Sequence, residues 1–274
     1  MPHLAVIGAG VMGSAIMSAL IDAQRYDAAD VRATTLDPVA RESLQARGIA
    51  VVDNAQAVEG ADVVLLAVKP DQVREALATF GSALASDALV ISVAAGVPLA
   101  TLEGGLPAGA AVVRVMPNTP ALVRQGAFAL SPGGACSSAQ VEKAVELLES
   151  AGLVRVVPEK LQDAVTGVSG SGPAYVFAFV DALIEGGVVA GLPRDEASEL
   201  AVQTLVGAAE LLRSSGTHPA LLREQVTSPG GTTAAALRVL DARGMRAAVV
   251  DAVQAAVARS RELGSEGSAG EGRR

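Results

Sequence analysis

Residues 3–13 read HLAVIGAGVMG, and this stretch decides the fold of the first half of the chain. A short apolar run ends at Gly8, and the six residues from Gly8 to Gly13 match the pattern Gly-x-Gly-x-x-Gly. Directly after a strand and at the start of a helix, this pattern is typical of dinucleotide-binding domains. The first glycine permits a tight turn, the second admits a pyrophosphate, and the third lets helix and strand pack closely. A dinucleotide site is therefore predicted at Gly8, Gly10 and Gly13, the alternative being an ordinary glycine-rich turn.

Strand-like and helical patterns alternate over the first 157 residues. Short apolar runs occur at 3–7, 31–35, 62–68, 88–93 and 111–115. A last alternation contains a run at 126–130, a helix at about 138–150 and a run at 153–157. This order predicts an α/β domain with a doubly wound, Rossmann-type sheet covered by helices.

The pattern changes after residue 158, where only helical segments rich in Ala, Leu and Val follow. They lie near 160–191, 194–214, 218–226, 232–241 and 244–263. A lone lobe of this composition would expose a large apolar face, which soluble monomers seldom do. We therefore expect a dinucleotide-binding domain at 1–158 and an all-α dimerisation and substrate domain at 159–263. Gly, Ser and charged residues predict a disordered tail at 264–274.

Composition and charge restrict the location and partners of the 274-residue chain. The formal charge of −8 argues against nucleic acid, which needs a basic face. Cys136 is the single cysteine and no signal-peptide pattern is present, so we expect a cytoplasmic protein. The apolar stretch 173–192 contains Asp181 and Glu185 and predicts a buried helix rather than a membrane span. We predict neither a membrane partner nor a metal site.

The second strand end bears on the choice between the two nicotinamide dinucleotides. NAD sites usually place an acid there for the ribose hydroxyls. Hydroxyls of Thr34 and Thr35 could instead accept a 2′-phosphate, whereas Asp37 would repel one if it pointed inward. NADP(H) is therefore favoured, and NAD(H) stays open.

Three further segments are candidates for the cofactor site. Lys69 and Pro70 follow the fourth strand, where ligands of doubly wound sheets bind, although Lys69 could be an ordinary loop lysine. Asn54 can either cap a helix or contact the adenosine side. The small residues of 93–96 would give a nicotinamide ring clearance, although tight packing also explains them.

Residues 227–237 read TSPGGTTAAAL and predict a helix that begins after two glycines. The first N–H groups of a helix have no partners within it and attract anions. The segment is therefore either an anion site for a small carboxylate or an ordinary Thr-capped helix. In the first case the carboxylate rests on the turn of Gly230, Gly231, Thr232 and Thr233.

With these segments placed, the chain closely resembles the pyrroline-5-carboxylate reductase family over nearly all of residues 3–263. The resemblance rests on GAGVMGSAI at 8–16, AVKPDQV at 67–73, RVMPNTPALVRQGA at 114–127, SGSGPAY at 169–175 and TSPGGTTAAAL at 227–237. It implies a Rossmann-type domain followed by a helical domain that forms an interlocked homodimer, with higher assemblies of dimers. It also implies reduction of 1-pyrroline-5-carboxylate to L-proline, the last step of proline synthesis, with NADPH or NADH.

The resemblance also implies individual site residues. Cofactor contacts are expected at Ile7, Gly8, Ala9, Gly10, Val11, Met12, Thr34, Asn54, Ala67, Val68, Lys69, Pro70, Val93, Ala94 and Ala95. Substrate contacts are expected at Glu159, Thr232 and Thr233. We assign Thr233 Oγ1 the catalytic contact to the ring nitrogen. Gln225 stands where the family often has Asn, which leaves a cofactor contact there in doubt.

Two other functions stay open at this point. A 3-hydroxyacid-type reductase would share the Rossmann start and the helical domain, but it would use a lysine soon after the domain boundary. Lys160 is the only lysine after residue 143, and its neighbours do not resemble such a site. A non-catalytic dinucleotide-binding redox sensor would explain the glycine loop but not the SPGGTT segment.

Overall fold

One eight-stranded sheet forms the centre of the first part of the chain in the computed structural model, which describes residues 3–269. Its strands are β1 (Leu4–Ile7), β2 (Val31–Thr34), β3 (Ala50–Val51), β4 (Val63–Leu66), β5 (Leu89–Ser92), β6 (Ala111–Met116), β7 (Gly126–Pro132) and β8 (Gly152–Val156). Their order is β3-β2-β1-β4-β5-β6-β7-β8. All neighbours are parallel except β6 and β7. The order reverses between β1 and β4, which is where doubly wound sheets bind ligands.

The helices before residue 172 cover both faces of this sheet. They are α1 (Val11–Asp22), α2 (Pro38–Ala46), α3 (Asn54–Val58), α4 (Val73–Phe80), α5 (Leu99–Gly104), α6 (Ser138–Leu148) and α7 (Gln162–Val165). One core cluster joins Val6 and Leu65 to residues of α1 and α6, such as Met17. A second cluster joins Ile7 and Leu66 to residues of α3, α4 and α5. The predicted doubly wound sheet is therefore confirmed, because each central strand buries both of its faces.

The compact units of the chain separate after Ser171, whereas the sequence places the boundary between the cofactor domain and the helical domain at residue 158. The first unit runs up to Ser171 and includes the chain from Ala255 onward, and the second comprises Gly172–Gln254. Residues 159–171 pack with the sheet because Gln162 Nε2 donates to Ala129 O at 3.1 Å and to Ser131 Oγ at 2.8 Å. The helical pattern of these residues does not show this attachment.

The second unit is entirely helical. The helices after residue 171 are α8 (Gly172–Val189), α9 (Arg194–Ser215), α10 (Pro219–Gln225), α11 (Thr232–Ala242) and α12 (Met245–Ala269), the last of which continues into the first unit. Gly187 allows α8 to approach α9, because a Cβ on Gly187 would lie 3.1 Å from Ala197 Cβ. The expectation of a buried helix at 173–192 is wrong for the single chain, since α8 contains no buried residue. Its exposed side chains include Phe177 and Phe179.

Two further differences concern the C-terminal half. By length and composition alone the helical stretch Glu159–Val189 could cross a membrane, a test that helices of soluble proteins also pass. The structure continues α12 to Ala269, so residues 264–269 of the expected disordered tail are helical. Extending an existing helix gains one hydrogen bond for each residue added, which explains how a tail rich in Gly and Ser can continue it. Residues 270–274 of the expected tail lie outside the described residues.

Candidate active site

The three glycines of the first loop each occupy a different environment. Gly8 has φ +92°, and a Cβ there would lie 2.9 Å from Val68 N. Gly13 lies against Gly8 O, and a Cβ on it would lie 3.1 Å from Ala67 Cβ. A Cβ on Gly10 would meet no atom of the chain within 4 Å. The sequence interpretation predicts this pattern, in which Gly8 turns, Gly13 packs and Gly10 faces open space.

The start of α1 is suited to an anion. Its N-cap is Gly10, no side chain caps the helix, and its first turn carries no acidic residue. The first N–H groups of a helix then keep their capacity to bind phosphate, and the helix dipole adds a partial positive charge. The open space before Gly10 would admit a pyrophosphate at this point. The residues present therefore fit the phosphate portion of a dinucleotide.

The ends of β1, β4 and β5 lie side by side. Ile7 is in register with Leu66, and Leu66 with Ser92. The backbone continues this pairing past the strand ends, with Ala67 N donating to Ile7 O at 2.8 Å and Val93 N donating to Leu66 O at 2.9 Å. The predicted cofactor residues that come directly after these three strands therefore lie at one edge of the sheet: Gly8 to Met12, Ala67 to Pro70, and Val93 to Ala95.

Exposure differs among the residues of this edge. Val93 and Ala94 are buried, whereas Ala95 and Pro70 are exposed. The Lys69 side chain is exposed, and within residues 3–269 it makes no hydrogen bond or ion pair. Lys69 therefore keeps its charge available at the edge where the cofactor is expected.

The end of β2 is bonded directly to the glycine loop. Thr34 Oγ1 accepts from Gly8 N at 3.0 Å, and Thr34 O accepts from Ala9 N at 2.7 Å. Asp37 caps α2, with its Oδ1 accepting from Val39 N at 2.9 Å. This bond to the helix start offsets part of the charge that would repel a 2′-phosphate.

Sequence reasoning missed Arg41 at this strand end. Arg41 Nη2 lies 3.5 Å from Thr35 O, and its side chain is exposed. The signal that could have found it is its place one helical turn after Asp37, which brings it back over the end of β2. An arginine here can form charge-assisted hydrogen bonds to a phosphate.

The two possibilities for Asn54 are now separated. Asp53 caps α3, because its side chain accepts from Gln56 N at 2.8 Å. Asn54 Nδ2 instead donates to Thr79 Oγ1 on α4 at 2.9 Å. The expected cap at Asn54 is therefore wrong, and its contact with the adenosine side stays a prediction.

Glu159 makes two contacts that the sequence does not reveal. Its Oε1 accepts from Leu99 N at 2.7 Å and from Arg114 Nη1 at 3.0 Å. Arg114 is only 8% exposed, although it carries a charge. The predicted substrate contact of Glu159 stays a prediction, and its carboxylate already holds the start of α5.

The SPGGTT segment forms the start of α11 in the helical unit. The N-cap is Gly231, no side chain caps the helix, and the first turn carries no acidic residue. Gly230 has φ +71°, a conformation that favours glycine. The alternative of an ordinary Thr-capped helix is therefore wrong, and the geometry suits a small carboxylate on the first N–H groups.

The side chains of this segment are placed around the same helix start. Thr227 Oγ1 donates to Arg223 O at 2.6 Å, and Gly231 N donates to Ser228 O at 3.1 Å. Thr232 is exposed and Thr233 is partly buried. Neither hydroxyl is used to cap the helix, so both stay available to a ligand.

The two histidines and the single cysteine are engaged by other groups of the chain. His218 caps α10, with Nδ1 accepting from Ala220 N at 3.2 Å. His3 Nε2 lies 3.1 Å from Ala57 O. Cys136 Sγ donates to Val112 O at 3.1 Å, and burial raises the pKa of its thiol. A thiol with a raised pKa is a poor nucleophile.

The sheet, the glycine loop and the open helix start define an oxidoreductase domain that binds a nicotinamide dinucleotide. Residues 3–96 match the family model described as NADP oxidoreductase, coenzyme F420-dependent. Residues 159–263 match the model for pyrroline-5-carboxylate reductase dimerisation. The chain belongs to the pyrroline-5-carboxylate reductase family.

Full-length relatives support this membership. The chain is similar to the pyrroline-5-carboxylate reductase of Synechocystis sp., with 44% identity over 96% of this chain and 99% of the relative. The structure is similar to a pyrroline-5-carboxylate reductase from Coxiella burnetii, with a TM-score of 0.88, 35% identity and coverage of 96% and 98% of the two chains. A Plasmodium falciparum pyrroline carboxylate reductase with NADP bound gives a TM-score of 0.87 at 30% identity, with the same coverage.

Proposed function

We propose that this protein reduces 1-pyrroline-5-carboxylate to L-proline by hydride transfer from NADPH, as the last step of proline biosynthesis. The observation that carries the proposal is the start of α11, where unused N–H groups and the hydroxyls of Thr232 and Thr233 occur together. Family membership supports the same activity. Domain ranges of 1–158 for the cofactor and 159–263 for substrate and dimer belong to this proposal.

The reaction asks little acid–base chemistry of the side chains. A reduced nicotinamide, held by Gly8 to Met12, Ala67 to Pro70 and Val93 to Ala95, would supply the hydride for C5 of the protonated ring imine, whose C=N bond would become a C–N single bond. The first N–H groups of α11, from Thr232 onward, hold the substrate carboxylate, and Thr233 Oγ1 accepts a hydrogen bond from the protonated ring nitrogen. Orientation of this kind can supply about 7–11 kcal/mol of the barrier.

The choice of NADPH over NADH is supported by the end of β2. Asp37 is engaged at the start of α2, and Arg41 lies beside Thr35. An exposed arginine and two threonine hydroxyls favour a 2′-phosphate by roughly tenfold, or about 1.4 kcal/mol. NADH would still be accepted, because the remaining contacts do not involve the 2′ position.

The assembly proposed is a homodimer formed through the helical domain, with larger assemblies of dimers. It is supported by the apolar face of α8, where Phe177 is 66% exposed in the single chain. Soluble monomers rarely expose continuous apolar patches of this kind. We also propose a cytoplasmic location, without nucleic-acid or membrane partners.

One assay separates this function from its alternatives. Purified protein is mixed with racemic 1-pyrroline-5-carboxylate and each reduced dinucleotide, and the nicotinamide absorbance is followed. We expect loss of absorbance with proline as the product. A redox sensor would bind NADPH tightly without turnover, and a hydroxyacid reductase would act on 3-hydroxy acids instead. Either result would refute the proposed activity.

A further inference from the structure

The loop after β5, defined as residues 93–98 and called the β5–α5 loop, is fixed at both ends by hydrogen bonds. At its start, Val93 N donates to Leu66 O at 2.9 Å. At its end, Leu99 N donates to Glu159 Oε1 at 2.7 Å. Gly96 in the middle has φ +76°, so the loop turns sharply between these two anchors.

The anchor at the end of the loop replaces a local helix cap. The N-cap of α5 is Pro98, which makes no side-chain cap bond. Glu159 supplies the missing acceptor from 60 residues further along the chain. A carboxylate that accepts from the first N–H groups of a helix stabilises that end, in the manner of an N-cap residue.

Arg114 holds the Glu159 carboxylate by an ion pair. Its Nη1 donates to the same Oε1 atom at 3.0 Å, and its side chain is almost fully buried. Arg114 is in register with Ser92, the last residue of β5, so both side chains lie on one face of the sheet. Removing one partner of such a pair would leave a buried charge without compensation.

We propose that Arg114 and Glu159 are positioning residues for the nicotinamide half of the cofactor. They hold the end of the β5–α5 loop and thereby the backbone of Val93, Ala94 and Ala95. The inference rests on the proposed function and on the cofactor contacts that the sequence predicts for those three residues. It gives Glu159 a role in cofactor geometry that is separate from a direct contact with substrate.

The test compares binding of the whole cofactor with binding of its adenosine half. Glu159→Gln, Arg114→Met and the double variant are titrated with NADPH and with 2′,5′-ADP. We expect the Kd for NADPH to rise by roughly fivefold to fiftyfold, because the released β5–α5 loop no longer holds the backbone that positions the nicotinamide half. The two residues act together, since members of one hydrogen-bonded network are coupled. The Kd for 2′,5′-ADP should not change. The double variant should resemble each single variant, since both act through one anchor.

Controls separate positioning from general loss of structure. Arg25→Met and Glu146→Gln remove an exposed ion pair, joined at 2.6 Å between the turn after α1 and helix α6, and should leave both Kd values unchanged. Thermal unfolding of every variant is measured in parallel. Arg114→Lys keeps the charge and should restore part of the NADPH affinity; it also replaces Arg114→Met if that variant fails to fold.

Three results would overturn the proposal. In one, NADPH and 2′,5′-ADP weaken equally, which indicates a general structural role. In another, Glu159→Gln raises only the KM for 1-pyrroline-5-carboxylate and Arg114→Met has no effect, which indicates direct substrate contact. In the third, all variants bind NADPH as the wild type does. The binding assays need no turnover, so a failed activity assay of the wild type is a separate result that refutes the proposed function.

Discussion

Replacing Gly10 with valine should abolish cofactor binding and leave the fold intact. Gly10 has φ −80° and ψ −164°, an extended conformation that valine adopts readily. A Cβ at this position meets no atom of the chain within 4 Å. We therefore expect the free energy of unfolding to change by no more than about 1 kcal/mol, since the losses come only from the helix cap.

The effect on binding should be much larger, because the new side chain fills the space before the start of α1. A pyrophosphate displaced from that helix start loses hydrogen bonds from backbone N–H groups. Each bond to a charged group contributes about 1.5–3 kcal/mol, so loss of one alone raises the Kd by roughly 10- to 150-fold, and loss of several together abolishes measurable binding. Fluorescence titration with NADPH measures the change directly.

Gly13→Ala is the matched control, since it changes the same loop but should destabilise the fold, which Gly10→Val should leave intact. Its Cβ would overlap Gly8 O, which lies at the turn itself. Overpacking of this kind costs about 1–3 kcal/mol, and each kcal/mol lowers the Tm by roughly 2–4 °C in a protein of this size. An unchanged NADPH affinity in Gly10→Val, with normal unfolding, would refute the assignment of the glycine loop to the pyrophosphate.

Four further outcomes are expected. Thr233→Ala and Thr233→Val should each lower kcat/KM by one to two orders of magnitude, because a lost hydrogen bond to a charged group costs about 1.5–3 kcal/mol. The affinity for NADPH should not change. Wild-type kcat/KM in both variants would show that Thr233 makes no catalytic contact. Arg41→Met should remove most of the NADPH preference in kcat/KM, and a wild type that prefers NADH would contradict our reading of β2. Burial and Asp62 raise the pKa of the Tyr26 hydroxyl above its usual value of about 10. Because the folded state then holds this proton more tightly than the unfolded state, the resulting stability is complete below pH 10 and is lost as the pH rises further. Tyr26→Phe should flatten that alkaline decline in thermal unfolding. Light scattering should show a dimer or larger assembly at micromolar concentration, and an active monomer would disprove the proposed interface.

The sheet and the glycine loop could be predicted because their causes are local. Apolar runs of four to six residues at regular intervals become β1, β2 and β4 to β6, which is how buried parallel strands appear in a sequence. The order of Gly8, Gly10 and Gly13 alone predicts a separate role for each, and the structure gives each glycine a matching environment. The start of α11 is predictable for the same reason, since a glycine pair before an apolar helical run is a local signal.

The missed features depend on contacts between distant residues. Arg114 and Glu159 are 45 residues apart, and Glu159 caps a helix that begins 60 residues earlier. No pattern within a short window contains both partners. The expected burial of α8 is wrong for a related reason, because an apolar composition does not show whether another described element of the same chain packs over the helix, and no residue of α8 is buried.

The two helix starts explain how an acidic protein can hold anionic ligands. The net charge of −8 repels phosphate and carboxylate at long range, but salt screens exposed charges beyond about 8 Å at physiological ionic strength. Within that distance, the charges and dipoles next to the ligand determine whether an anion binds. The first turns of α1 and α11 contain no acidic residue, whereas α9 carries Asp195 and Glu196 in its first turn. Most other helix starts, such as those of α6 and α10, also lack an acidic residue, so this absence permits anion binding at α1 and α11 without singling them out. A single Asp or Glu in either first turn would nevertheless cancel the partial charge that the backbone provides there.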